Sequence, residues 1–190
     1  AELDADAIAA SEYVYIEGYL VTSPSGLAAA VRAREIAEAA GVKTALSFSD
    51  PGMVEFFREG MASIVGAGLD LVFCNETEAL QWGQTDSLPV AIEKLKLIAR
   101  SFVVTRGAEG AITFDGAEQV DIPPHRVHAL DSNGAGDMFA GAFLYAITRG
   151  EDFATAGRFA SLAAGRIVAN YGPRLPAADY PALRAEFFGD

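Results

Sequence analysis

Runs of β-branched and aromatic residues alternate with helical stretches from Tyr13 to Thr105, and this alternation restricts the possible folds more than any single residue does. Tyr13 to Leu20 reads as a strand. Ser23-Pro24-Ser25 then caps a helix that carries Leu27, Ala30, Val31, Arg34 and Ile36 and closes at Gly41. Val42 to Phe48 is the next strand, Asp50-Pro51 starts a helix, and Val54 to Val65 is amphipathic as far as Gly66 and Gly68. Leu69 to Cys74 is a third, buried strand. A polar helix start at Asn75 and a helix near Val90 to Arg100 lead to a strand at Ser101 to Thr105. Ala111 to Phe114 and Ala117 to Asp121 pair as a hairpin over Asp115-Gly116. After a short strand ending at Leu130 the pattern turns helical. Asp137 to Arg149 carries Phe139, Ala142, Phe143, Ala146 and Ile147 on one stripe and ends at Gly150, and Phe153 to Ala169 is a helix of small residues ending before Gly172-Pro173.

Strands that alternate with helices need crossover connections, so neighbours in the sheet run parallel and helices cover both faces. The fold class is α/β. No fixed-period repeat and no proline-rich linker divides the 190 residues, so one compact domain over 1–190 is expected. In such sheets a ligand sits beyond the carboxyl ends of the strands. Chemistry should therefore gather in the loops after Leu20, Phe48, Cys74, Thr105 and Leu130.

Twenty-six acidic against fourteen basic residues give a net charge of -12, a field that repels phosphate backbones and anionic bilayers. Nucleic acid and membrane are not expected partners. The longest apolar runs fall far short of the roughly 20 residues a spanning helix needs. One cysteine, Cys74, excludes an internal disulfide framework, no basic segment followed by an apolar run opens the sequence, and a reducing cytoplasm is the expected location.

The densest chemical signal is Asp131-Ser132-Asn133-Gly134-Ala135-Gly136-Asp137, at the start of an amphipathic helix. Glycines let a backbone approach an anion, and the first amides of a helix present unpaired N–H groups to it. Asp137 in the first turn is stabilised as an anion and can accept a proton from an alcohol. A base beside an anion hole is an arrangement for phosphoryl transfer. The same residues can also be only a tight turn with Asp137 as its N-terminal cap. A Walker A loop is excluded because no lysine follows Gly136, and a dinucleotide fingerprint because Phe139 stands where glycine or alanine is required.

This heptad, continued by Met138-Phe139-Ala140-Gly141-Ala142-Phe143, resembles the D-x-x-G-A-G-D signature of the ribokinase/PfkB carbohydrate kinases. Asn75-Glu76-Thr77-Glu78 resembles the N-x-x-E element of that family, and Val103 to Ala111 its V-T-x-G-x-x-G nucleotide loop. The motifs stand in the family's order. The resemblance, which covers Tyr13 to Gly172, implies a ribokinase-like fold and an ATP-dependent kinase acting with magnesium on a hydroxyl of a sugar or nucleoside.

By that resemblance Asp137 is the base, and the amides of Gly134, Ala135 and Gly136 hold the charge developing on the transferred phosphoryl. Asn75 and Glu78 lie three residues apart on one helical face, where they can orient water around a magnesium–triphosphate pair, Glu78 acting directly or through water. Thr105, Gly107 and Gly110 line the nucleotide phosphates and ribose, and Ser161 stands at the position of a base contact. Some relatives bind a monovalent cation, which here implies potassium at Asp131 and Asn133 with the backbone of Ile167, Asn170 and Gly172. Asn133 departs from the commoner threonine. Glu17 corresponds to a position facing the acceptor, a pocket to which Asp131 also belongs. The segments Ile16 to Leu20 and Tyr171 to Leu175 are most similar to bacterial adenosine-kinase-like sugar kinases; adenosine, ribose and fructose all stand as acceptors.

Family members run to about 300 residues, with the lid and most acceptor contacts in the amino-terminal part. Here Ala1 to Ser11 reads as the helix before a central strand. The chain is thus expected to be a carboxyl-terminal portion lacking the amino-terminal strands and lid, with that portion as its partner, and a homodimer is one expectation for the intact protein. A non-catalytic nucleotide-binding module or inactive fragment is the alternative function. The remaining candidates are bland. Cys74 reads as a buried, inert thiol. His125 and His128 flank a strand after Pro123-Pro124 with no further metal-ligating partner, and Trp82, Phe56 and Phe57 are expected to pack. Arg106 and Arg174 are expected to be solvated.

Overall fold

The computed structural model describes residues 3–189. The chain divides into two compact units, one running to Thr105 and taking in Phe114–Glu118, the other made of Arg106–Thr113 and the residues from Gln119 onward. Six strands form one sheet in chain order, and the pairs within the first four are parallel.

The first unit is a run of strand–helix repeats. Helix α1 (Ala5–Ala9), capped by the Asp4 carboxylate, lies within the expected Ala1 to Ser11 helix, whose residues 1 and 2 are outside the described residues. Strand β1 (Tyr13–Glu17) leads to α2 (Pro24–Ala40), capped by the Ser23 hydroxyl at 3.1 Å from the Gly26 N–H and closed at Gly41. Strand β2 (Lys43–Ser47) pairs with β1 in register Tyr13 to Lys43. Helices α3 (Pro51–Phe56) and α4 (Arg58–Val65) precede β3 (Leu69–Asn75), and α5 (Glu76–Gly83) and α6 (Leu88–Leu95) precede β4 (Ala99–Thr105). Strands β3 and β4 are buried almost end to end, as parallel strands covered on both faces must be.

Three departures from the sequence pattern have local causes. The first strand stops at Glu17 instead of Leu20, and Gly18–Thr22 is a 3-10 turn. A Cβ on Gly18 would stand 2.6 Å from the Phe48 carbonyl, so the chain turns where the loop after β2 crosses it. The single helix expected from Val54 to Val65 breaks at Phe57 (φ -122°, ψ 30°). That break carries Arg58 to the Gln81 and Trp82 carbonyls at 3.2 and 2.6 Å, its guanidinium 4.8 Å from the Trp82 ring. The helix expected to reach Arg100 ends at Leu95 because pairing of Ala99 with Leu69 draws the chain into β4 two residues before Ser101.

The second unit takes in residues 111–113 of β5 (Ala111–Phe114) and β6 (Gln119–Ile122), followed by α7 (Ala135–Ile147), α8 (Phe153–Val168) and α9 (Asp179–Phe188). Helix α8 is capped by Asp152, whose carboxylate accepts from the Thr155 N–H at 2.6 Å. Ala156, Gly157, Ala160 and Ala163 are buried, and Phe143 meets Phe153 edge-on at 5.0 Å. Helix α9, not expected from the sequence, is anchored by Leu183 and by Phe187 and Phe188 against Phe159 at 5.3 and 4.8 Å. The short strand expected to end at Leu130, which would also have lain between His125 and His128, is absent: 123–129 form neither strand nor helix, and Leu130 is a bend. Pro123 and Pro124 have no N–H to donate, and Leu130 donates instead to the Val168 carbonyl at 2.8 Å. Among the described residues no helix is long and apolar enough to cross a membrane.

Candidate active site

The second unit holds the glycine-rich turn. Gly134 is the N-cap of α7 at φ +76°, and a Cβ there would lie 2.4 Å from the Pro173 carbonyl, so both conformation and contact require glycine. The Ala135 N–H is directed to the Ser132 carbonyl at 3.2 Å, and the first helical bond is Met138 to Gly134 at 2.9 Å. The N–H groups of Gly134, Gly136 and Asp137 have no acceptor among the described residues. Asp137 is therefore not the cap. It is exposed in the first turn, and its carboxylate makes no hydrogen bond or ion pair among the described residues. The site of interest is three free amides with a free carboxylate in the first turn of the same helix. The amide of Asp137 itself belongs to this set, which the motif alone does not reveal.

The Asp131 carboxylate ties its own loop to the segment after α8. One oxygen accepts from the Asn133 N–H and the other from the Gly172 N–H, both at 3.0 Å, and these two bonds, in that order, hold its carboxyl below the ordinary value. Leu130 and Asp131 both donate to the Val168 carbonyl, the Asn170 N–H to the Ile167 carbonyl, and the Asn170 side chain to Arg166. The residues expected around a monovalent cation thus come from two segments, 130–133 and 167–172, tied together by backbone bonds. Among the described residues there is no cluster of three metal-ligating His, Cys, Asp or Glu. His125 and His128 are both exposed.

Ser161 works in both directions: its hydroxyl donates to the Pro123 carbonyl at 3.1 Å and accepts from the His125 N–H at 2.9 Å. It lines a cavity of about 310 Å³ with Pro124, His125, Arg158 and Phe187. In the nucleotide loop Gly107 stands at φ +57° in a 3-10 turn, and a Cβ on Gly110 would fall 2.0 Å from the Ile122 carbonyl. Arg106, expected to be solvated, pairs with Asp121 at 2.8 Å with its side chain only 19% exposed. Arg174 is exposed.

The first unit presents a capping box at the start of α5. The Asn75 N–H and side-chain amide donate to the two Glu78 oxygens, each at 2.8 Å, and the Glu78 N–H returns to the Asn75 side-chain oxygen at 2.9 Å. Glu78 is 4% exposed. Burial pushes its carboxyl up to about 7, against the lowering effect of the Asn75 N–H and with a further push from the negative charge of Asp50. Thr105 closes β4 with its hydroxyl 3.5 Å from the Cys74 carbonyl. The Cys74 thiol is buried in β3 and raised by that burial. Trp82 packs on Phe48 at 5.3 Å, whereas Phe56, expected to pack, is 74% exposed because the break at Phe57 turns it outward. Glu17 receives the Ser49 hydroxyl at 2.8 Å. Sequence reading missed Ser49; the only signal is a serine directly before the Asp50-Pro51 helix start.

A model of the pfkB family carbohydrate kinases matches residues 1–179, and the chain belongs to that family. Adenosine kinase of Schizophyllum commune is 30% identical over 171 residues, covering 80% of this chain and 48% of its own. The crystal structure of adenosine kinase from Sinorhizobium meliloti superposes with a TM-score of 0.91 at 32% identity, over 97% of this chain and 57% of that one. A probable sugar kinase from Rhizobium etli CFN 42 gives 0.90 at 31%, over 98% and 57%. The fold is ribokinase-like, and the chain spans about half the length of the curated relatives it matches.

Proposed function

We propose that this chain carries the phosphoryl-transfer chemistry of an ATP-dependent kinase that acts on a hydroxyl of a sugar or nucleoside. The observation that carries the reading is the exposed, unbonded Asp137 carboxylate in the same helical turn as the free amides of Gly134, Gly136 and Asp137. The amides suit the equatorial oxygens of a transferring phosphoryl, and a Cβ on Gly136 would meet nothing within 4 Å, which leaves room for one. Asp137 accepts the proton of the acceptor hydroxyl as its oxygen bonds to the γ-phosphorus. The bond from that phosphorus to the β–γ bridging oxygen breaks, and ADP leaves.

Asn75, Thr105, Gly107, Gly110 and Ser161 are assigned to the nucleotide, Glu17 and Asp131 to the acceptor. Ser161 acts by holding the 123–125 backbone, since its single proton is committed to the Pro123 carbonyl and it accepts from the His125 N–H. Bound magnesium would neutralise charge on the β- and γ-phosphates. Glu78 fits it as a partner acting through water, because its carboxylate is buried with both oxygens engaged by Asn75. Potassium at the 130–133 and 167–172 segments and a cytoplasmic location belong to the same reading.

Adenosine is the first acceptor to test, because relatives at 30% and 32% identity are adenosine kinases. ADP release by the full natural protein is measured with ATP, magnesium and a panel of nucleosides and sugars. Release that depends on one acceptor class supports the reading; ATP binding without release for any acceptor favours a non-catalytic nucleotide-binding module.

A further inference from the structure

Ser49 stands between two fixed points. On one side the Phe48 N–H is bonded to the Phe73 carbonyl at 2.9 Å, and on the other Asp50 caps α3 through the Gly52 N–H at 2.7 Å. To join them Ser49 adopts φ +68°, one of two positive values among the described non-glycine residues. A side chain in that region is strained, and such strain persists only where the surroundings over-determine it. The strained backbone delivers a hydroxyl used twice: it accepts from the Gly18 N–H and donates to Glu17 Oε2, both at 2.8 Å. Its single proton is thereby committed, and the Ser47 carbonyl at 3.4 Å is the poorer acceptor. The crossing is close enough that Gly18 has no room for a Cβ, and the Tyr19 hydroxyl reaches the Ser49 carbonyl at 3.4 Å. Glu17 Oε1 has no partner among the described residues.

We propose that Ser49 is a positioning residue that holds one oxygen of Glu17 and leaves the other turned to an acceptor hydroxyl. This rests on reading Glu17 as an acceptor contact. A carboxylate at the end of a strand has several rotamers, and fixing one of them lowers the ordering cost that binding would otherwise meet. The role is thus in acceptor affinity and not in proton transfer.

The test uses the full natural protein and its best acceptor from the panel, with Ser49→Ala, Ser49→Gly, Glu17→Ala and the double variant Ser49→Gly/Glu17→Ala. Glycine adopts positive φ freely, so Ser49→Gly removes the hydroxyl without strain and remains informative should Ser49→Ala fold poorly. The expected result is a rise in KM for the acceptor of about tenfold, the cost of losing a hydrogen bond to a charged group, with KM for ATP unchanged. In the Glu17→Ala background Ser49→Gly should add nothing. Equal rises in both KM values, or an effect of Ser49→Gly that persists without Glu17, overturn the positioning role while leaving Glu17 as an acceptor contact. An unchanged acceptor KM in Glu17→Ala overturns the acceptor reading of Glu17 and this proposal with it. No transfer by the wild-type protein to any acceptor sinks the kinase reading itself, and this proposal falls with it.

Discussion

The carbonyl oxygen of Pro173 lies 2.4 Å from where a Cβ on Gly134 would be, and Gly134 sits at φ +76°. The glycine-rich turn is thus clamped by the segment that follows α8. Gly134→Ala should cost about 1–3 kcal/mol of stability from its backbone strain alone, with displacement of Pro173 adding to it. Gly136→Ala is the contrast: nothing lies within 4 Å of its Cβ, so it should leave stability unchanged or raise it by up to about 1 kcal/mol. It should nevertheless slow transfer by placing a methyl group in the phosphoryl space. Denaturant midpoints and initial rates of the two variants check both statements.

Glu78 gives a pH dependence of known sign. Its folded value of about 7 is above the 4.5 of an unperturbed glutamate, so the folded state binds the proton more tightly. The stabilisation is full below the unfolded value and is lost as pH rises towards 7. Across that window wild type should lose up to about 3 kcal/mol relative to Glu78→Gln, because a tenfold difference in proton affinity corresponds to about 1.4 kcal/mol. Urea unfolding of the pair at pH 4.5, 6 and 8 measures it. Parallel curves would show that the buried carboxyl does not titrate there.

Removing the Ser161 hydroxyl releases both the Pro123 carbonyl and the His125 N–H. Ser161→Ala should cost about 1–2 kcal/mol for two bonds at an exposed site. Hydrogen exchange should rise at His125 while that of the α7 core amides is unchanged.

The parallel strands and the capped helices were legible because their signals are local: Ser23-Pro24 with Gly41, Asp50-Pro51, and the apolar run from Leu69 to Cys74. The motif residues could likewise be picked out one by one. Sequence could not show which amides stay free, since the Ala135 N–H is taken by Ser132 and that of Asp137 is not. Nor could it show the breaks at Glu17 and Phe57, which depend on the Phe48 carbonyl and on the Trp82 carbonyl, contacts that Gly18 and Arg58 make with residues 30 and 24 positions away. The strand expected before the glycine turn failed for a reason visible in the sequence, the missing N–H groups of Pro123-Pro124. Helix α9 escaped notice because Pro181 and a weak apolar stripe hide it, and its aromatic anchors, Phe187 and Phe188, lie at its end.

The central claim is that Asp137 removes the acceptor proton. Because its carboxylate makes no hydrogen bond among the described residues, Asp137→Asn should fold as wild type does. The direct measurement is single-turnover transfer from ATP by the full natural protein and by Asp137→Asn, with ATP affinity by calorimetry beside it. A rate lower by about 10²–10⁴, with ATP affinity retained, is the predicted result; equal rates would contradict the account.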